Sequence, residues 1–112
     1  ATKKKKKSLN KFPFRLHEML DDAEKEGFSS VVSWQPHGRI FLIRKKQEFV
    51  DNILPRYFRQ SKITSFQRQL NIYGFRRLSR GIDKGGYYHE FFLRSKKHLI
   101  GKIIRAGVKG NG

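Results

Sequence analysis

The side chains best suited to chemistry in this chain lie in the segment 61–77, Ser-Lys-Ile-Thr-Ser-Phe-Gln-Arg-Gln-Leu-Asn-Ile-Tyr-Gly-Phe-Arg-Arg. Arginine pairs in bidentate fashion with the O6/N7 edge of guanine, and asparagine or glutamine with the N6/N7 edge of adenine. At 100° per residue, Thr64, Gln67, Arg68 and Asn71 gather on one side of a helix, and Ile63, Phe66, Leu70 and Tyr73 on the other. A merely solvated helix face carries Lys, Glu and Asp, and Arg68 alone would read as an ordinary surface arginine. Set opposite an apolar stripe and beside Asn71, it reads as the centre of a base-reading face. Gln67 stands at the edge of that face and is divided between it and a capping role. Phe66 and Tyr73 read as core, with only the Tyr73 hydroxyl reaching outward.

Such a face must be held rigidly, and the flanking sequence supplies the means. Thr64 followed by Gln67 predicts a capping box, the cap contributing about 1 kcal/mol, and Gly74 a C-terminal stop. Residues 46–59 predict a preceding helix with Phe49, Val50, Ile53, Leu54, Tyr57 and Phe58 on one stripe. Pro55 falls inside it, and its missing N–H predicts a kink or bulge at Asp51–Asn52. Residues 60–63 are long enough only for a turn. Upstream, Pro13 opens a helix through Leu16, Met19, Leu20 and Ala23 to Glu26, stopped by Gly27. Five of the nine acidic residues (Glu18, Asp21, Asp22, Glu24, Glu26) lie on it, so this helix is scaffold turned away from any polyanion. Phe28–Trp34 and Arg39–Arg44 predict strands about the turn Gln35-Pro36-His37-Gly38. Phe75–Ser79 and Tyr87–Arg94 predict two more about a seven-residue loop with three glycines. Ser95 predicts the cap of a last helix with Leu99, Ile100, Ile103 and Ile104 as its stripe.

The order predicts an α+β winged helix-turn-helix: a three-helix bundle capped by a small four-stranded antiparallel sheet, plus a short C-terminal helix. Residues 1–11 read as a disordered basic lead, 12–106 as the domain, and 107–112 as a disordered tail.

Charge points the same way. The formal net charge is +17 over 112 residues, and removing Lys3–Lys7 still leaves +12. From Asn52 to Ile82 there are seven basic residues (Arg56, Arg59, Lys62, Arg68, Arg76, Arg77, Arg80) and no acid. Such a field attracts a polyanion, nucleic acid first and an anionic membrane surface second. With 37% hydrophobic residues and ten Phe the chain has material for a core. There is no cysteine, hence no disulfide frame or thiolate metal site. No apolar run approaches the ~20 residues that span a bilayer. The lysine run at 3–7 reads equally as a nuclear address, a DNA tail or an appended remnant. Nothing asks for catalysis, a metal or a cofactor. Asp21 and Asp22 are adjacent and point about 100° apart on a helix, and His17, His37, His89 and His98 lack ligand spacing.

Several of these residues coincide with one known pattern. Phe12-Pro13 with Met19-Leu20, Trp34 with Gly38 and Phe41, and Phe49 with Leu54-Pro55-Arg56-Tyr57-Phe58 resemble the DNA-binding domain of heat shock transcription factors in order and spacing. The run Ser65-Phe66-Gln67-Arg68-Gln69-Leu70-Asn71-Ile72-Tyr73-Gly74-Phe75-Arg76 is similar to that family's signature nearly residue for residue, and His89, Phe92 and Arg94 match its fourth strand. The resemblance runs from about Phe12 to Arg105. It implies a nuclear regulator of transcription in stress response, a DNA-binding piece of a longer protein. Its partner would be double-stranded DNA with inverted GAA-type repeats. The parent would be a homotrimer through a coiled coil elsewhere, and the isolated domain a monomer. By the same resemblance helix 64–73 is the recognition helix and Arg68 reads guanine. Ser65, Asn71, Tyr73, Arg59 and Arg77 fall near phosphates or ordered water, Lys62 lies in the turn, and Arg76 adds to the basic flank. The loop after Ser79 is shorter than the family's usual wing, and Glu90 stands where proline commonly follows the strand histidine. Ile104 and Ala106 replace more basic residues. Two rival readings are a sequence-neutral, linker-histone-like winged helix and a module whose basic face docks on acidic protein or lipid.

Overall fold

The computed structural model describes residues 11–59 and 62–105. The expected lead up to residue 10, part of the turn at 60–61 and the expected tail lie outside the described residues.

Helix α1, Phe12–Glu26, carries Pro13 in its first turn and ends at Gly27, whose φ of 84° is left-handed. Its buried stripe of Phe12, Leu16, Met19, Leu20 and Ala23 is the one read from the sequence. Strands β1 (Val32–Trp34) and β2 (Ile40–Ile43) form the expected hairpin, shorter than the sequence suggested. Val31 N–H closes a turn onto the Phe28 carbonyl at 2.9 Å, which shortens the strand, while the Val31 carbonyl still accepts from Arg44 N–H at 2.7 Å.

Helix α2 starts at Lys46–Glu48, widens into a π-helical turn over Phe49–Ile53, and resumes α geometry at Leu54–Tyr57. This is the distortion expected from Pro55. The Leu54 N–H reaches back to the Phe49 carbonyl, and the extra residue makes room for the proline ring. The helix ends at Tyr57 and not at residue 59. Phe58 is extended (φ −134°, ψ 150°) and turns its ring onto Phe12 at 5.1 Å and Phe66 at 5.8 Å.

Helix α3, Ile63–Ile72, begins one residue before Thr64, with Lys62 in the capping position and no side-chain cap. The expected capping box is therefore absent. Starting at Ile63 packs that side chain against the core, leaves Thr64 exposed in the first turn, and commits Gln67 elsewhere. Gly74 (φ 82°) follows the helix as expected, with Phe75 N–H closing on the Leu70 carbonyl at 2.9 Å.

Strands β3 (Arg76–Arg77) and β4 (Tyr87–Tyr88) complete one antiparallel sheet in the order β1-β2-β4-β3. Both are much shorter than expected, because His89 to Phe92 forms a turn. Trp34, Phe41 and Tyr87 share the inner face through the pairs Trp34↔Phe41 and Phe41↔Tyr87. The final element is a 3₁₀ helix, Lys97–Lys102, without a side-chain cap from Ser95. It buries Ile100; Ile103 follows in an extended conformation with its side chain in the core, and Ile104 is 75% exposed, outside the stripe the sequence suggested. At the centre, Phe66 is fully buried with Phe12, Phe49 and Phe58 within 5.8 Å. Helix α3 is thus anchored by its apolar side to both other helices.

Candidate nucleic-acid interface

Burial of Phe66 and Leu70 fixes which way α3 faces. Within the helix only Thr64, Arg68 and Asn71 are exposed, and they lie within about 60° of one another around the axis. Among the described residues the Arg68 and Asn71 side chains make no hydrogen bond or ion pair, so their bidentate donors and acceptors face outward unengaged.

One flank of this face meets the sheet. The Gln67 side chain, half-buried, donates from Nε2 to the Tyr87 hydroxyl at 3.2 Å. This corrects its suggested role in the cap. The Tyr87 ring stacks on Phe41 at 5.4 Å and 28°, and the Arg77 guanidinium lies 5.7 Å from its centroid. Register explains the last contact: Arg77 pairs with Tyr87 and shares its inward face, whereas Arg76 pairs with Tyr88 and projects from the other. The two adjacent arginines diverge. Arg76 lines a recess with Gly74, Tyr88, His89 and Glu90.

The opposite flank carries Ser65 and Gln69, both half-buried. Gln69 and exposed Arg59 border an open groove of about 740 Å³ with Phe12, Phe58 and Tyr73 on its floor. Tyr73 is 7% exposed, stacked on Phe12 at 5.5 Å, and the Arg105 guanidinium lies 5.9 Å from its ring. Lys62 sits at the helix start, its carbonyl accepting from Phe66 N–H at 3.2 Å. Among the described residues no side chain caps the first turn of α3, whose positive dipole end lies beside Lys62.

Three carboxylates of α1 pair with scaffold arginines, Glu18 with Arg15 at 2.5 Å, Glu26 with Arg56 at 3.1 Å and Glu24 with Arg94, and Asp21 lies 3.4 Å from His17 Nδ1. Asp22 accepts from the Tyr57 hydroxyl at 2.6 Å; burial and then that bond push the hydroxyl pKa up. Arg56 donates to the Glu26 carboxylate, which raises the guanidinium pKa, and this pairing withdraws Arg56 from the basic set of the acid-free window. Asp83 pins the β3–β4 loop onto the first hairpin, accepting from Gln35 at 2.9 Å and meeting His37 at 3.1 Å. The Gln35 bond, more than His37, holds its carboxyl below the ordinary range. Ile82 beside it is 94% exposed.

One other groove lies elsewhere. This groove of about 870 Å³ lies between α1, the Pro36–Arg39 turn and residues 93–96, and includes no residue of α3. Among the described residues no group of three or more His, Asp or Glu is placed to hold a metal ion.

The HSF-type DNA-binding family matches this chain over residues 12–106. The chain belongs to that family. It is 40% identical over 101 residues to heat stress transcription factor A-1a of Arabidopsis thaliana, covering 89% of this chain and 20% of that protein. It is 35% identical over 114 residues to the heat shock transcription factor of Saccharomyces cerevisiae, covering 94% of this chain and 13% of that protein. The chain thus spans a fifth or less of the length of these relatives. Among solved structures it is similar to Chaetomium thermophilum Skn7 with HSE DNA, at 33% identity and a TM-score of 0.73, over 83% of this chain and 97% of that one. It is also similar to a heat shock transcription factor/DNA complex, at 29% identity and a TM-score of 0.55, over 68% of this chain and 89% of that one.

The winged helix-turn-helix expected from the sequence is therefore the fold of this HSF-type domain. Tyr87 is the residue the sequence did not single out. Its only signal there is an aromatic at an inward position of a strand, which reads as core until the register brings it beside Gln67 and Arg77.

Proposed function

We propose that this HSF-type domain binds double-stranded DNA sequence-specifically, inserting α3 into the major groove of GAA-type inverted repeats. The observation that carries the proposal is the exposed, unengaged pair Arg68 and Asn71 at the centre of α3, with Arg77 on one flank and Arg59 on the other. A major groove has that layout, base edges in the middle and a phosphate strand on each side. Arg68 pairs with guanine O6/N7. Asn71 takes a base edge or a bridging water, and Ser65 with the Tyr73 hydroxyl contributes polar contacts near the backbone. Arg59, Lys62 and Arg77 bind phosphates, with Arg76 on the outer side of the wing strand contributing charge at longer range. The relatives solved with HSE DNA, and the complex of a heat shock transcription factor with DNA, support this reading. The functional unit extends over 12–106, works in the nucleus as part of a transcription factor, and the parent protein assembles as a trimer through a segment outside this chain.

Selection of bound sequences from a random duplex pool tests it. Enrichment of GAA units in inverted order is the expected outcome. Recovery of no motif, with affinity set by salt alone, would replace the proposal with sequence-neutral binding. Phosphate contacts from Arg59, Lys62 and Arg77 correspond to a slope of log K on log salt of about −3.

A further inference from the structure

Tyr87 touches two parts of the interface at once. Its hydroxyl takes the Nε2–H of Gln67 from α3 at 3.2 Å, and its ring lies under the Arg77 guanidinium at 5.7 Å. Neither partner is locked otherwise: among the described residues Gln67 has no second side-chain bond, and Arg77 is exposed without a carboxylate. Tyr87 itself is rigid. It is 6% exposed, stacked on Phe41, and paired on both sides, with Phe41 of β2 and Arg77 of β3.

We infer that Tyr87 is a specificity-determining positioning residue: it fixes the Gln67 amide at the edge of the base-reading face and the Arg77 guanidinium beside it. The inference rests on the proposed insertion of α3 into the major groove. Gln67 lies about 100° around the axis from Arg68, on the side of the wing strand, so its amide borders the base pair next to the one read by Arg68. With Nε2–H spent on Tyr87, the amide presents its carbonyl oxygen and one remaining N–H. A glutamine free to rotate accepts or donates indifferently; one held in a single orientation discriminates between base edges. Arg77, shelved on the same ring, keeps the phosphate contact in register with that amide. Helix and wing strand then dock as one unit through a single side chain.

The test separates the two functions of the ring. Tyr87→Phe removes the hydroxyl and keeps the shelf. Its affinity for every single-base variant of the selected site is measured by competition anisotropy, alongside wild type, Gln67→Ala, and the double variant. The expected result is loss of about threefold to tenfold in preference at the base pair next to the Arg68 position, the size of one hydrogen bond. Preference elsewhere and the salt slope stay as in wild type, and the double variant adds no further loss. Arg77→Gln is expected to lower affinity uniformly across the variants and to flatten the slope by about one unit. Three results overturn the inference: a folded Tyr87→Phe with unchanged preference, equal weakening on all sequences, or losses of Tyr87→Phe and Gln67→Ala that simply add. Should wild type show no sequence preference at all, the DNA-reading proposal falls together with this one, an outcome distinct from unchanged preference in Tyr87→Phe.

Discussion

Replacing Arg68 with alanine separates base reading from every other property of the domain. The side chain is exposed and contacts no other described residue through a hydrogen bond or ion pair. Alanine is at least as good a helix former, so folding stability should stay within about 0.5 kcal/mol of wild type. The loss falls on binding. A bidentate arginine–guanine pair gives ~1–3 kcal/mol of discrimination, so affinity for a single cognate half-site should drop by about 5-fold to 150-fold. Binding to a scrambled duplex should weaken far less, because the phosphate contacts assigned to Arg59, Lys62 and Arg77 remain. The salt slope should stay at about −3, changing by less than one unit, since the lost contact is to a base and not to a phosphate. Fluorescence anisotropy on cognate and scrambled duplexes at four salt concentrations measures all three quantities. Equal weakening on both duplexes, or unchanged preference for the cognate, would refute the assignment of Arg68.

Other outcomes follow from particular contacts. Arg56→Ala should leave the salt slope unchanged because Glu26 already holds that guanidinium, whereas Arg59→Ala should flatten it by about 0.9; identical slopes for the two variants would contradict the division of the basic residues. Phe66→Ala should cost about 3–5 kcal/mol in chemical denaturation, as the ring is fully buried among three other phenylalanines. Burial lowers the pKa of His89 below the ordinary 6.5, and its Nδ1 accepts from Phe91 N–H at 3.0 Å, which requires that nitrogen unprotonated. Below about pH 6.5 the unfolded ring binds the proton first, so stability is fully present above that value and lost as pH falls through the folded pKa. His89→Gln should flatten that part of the stability–pH curve, and a curve of unchanged shape would count against the assignment.

The legible part of this fold was the part written in side-chain periodicity. The stripe of α1, its stop at Gly27, the distortion before Pro55 and the split surface of α3 all follow from local rules that tertiary packing did not override. Element ends were less legible, because they depend on where the core pulls a side chain. Phe58 leaves its helix to reach Phe12 and Phe66, and Ile63 joins α3 to reach the core, which removes Thr64 from the cap. The site divides in the same way. The exposure of Arg68 and Asn71 on one face of α3 was readable from helical phase alone. The engagement of Gln67 by Tyr87, the divergence of Arg76 from Arg77 and the withdrawal of Arg56 by Glu26 depend on pairing between distant segments, which no local pattern encodes.

The central claim is that Arg68 reads guanine from the major groove. It is tested most directly by substituting 7-deazaguanine, which lacks the N7 acceptor, at the guanine of the selected site, and titrating wild type and Arg68→Ala against both duplexes. Wild type should lose affinity on the modified duplex, and Arg68→Ala should bind both duplexes alike, since the two deletions remove the same contact. A wild type indifferent to the missing nitrogen, or an alanine variant that still senses it, would contradict the account.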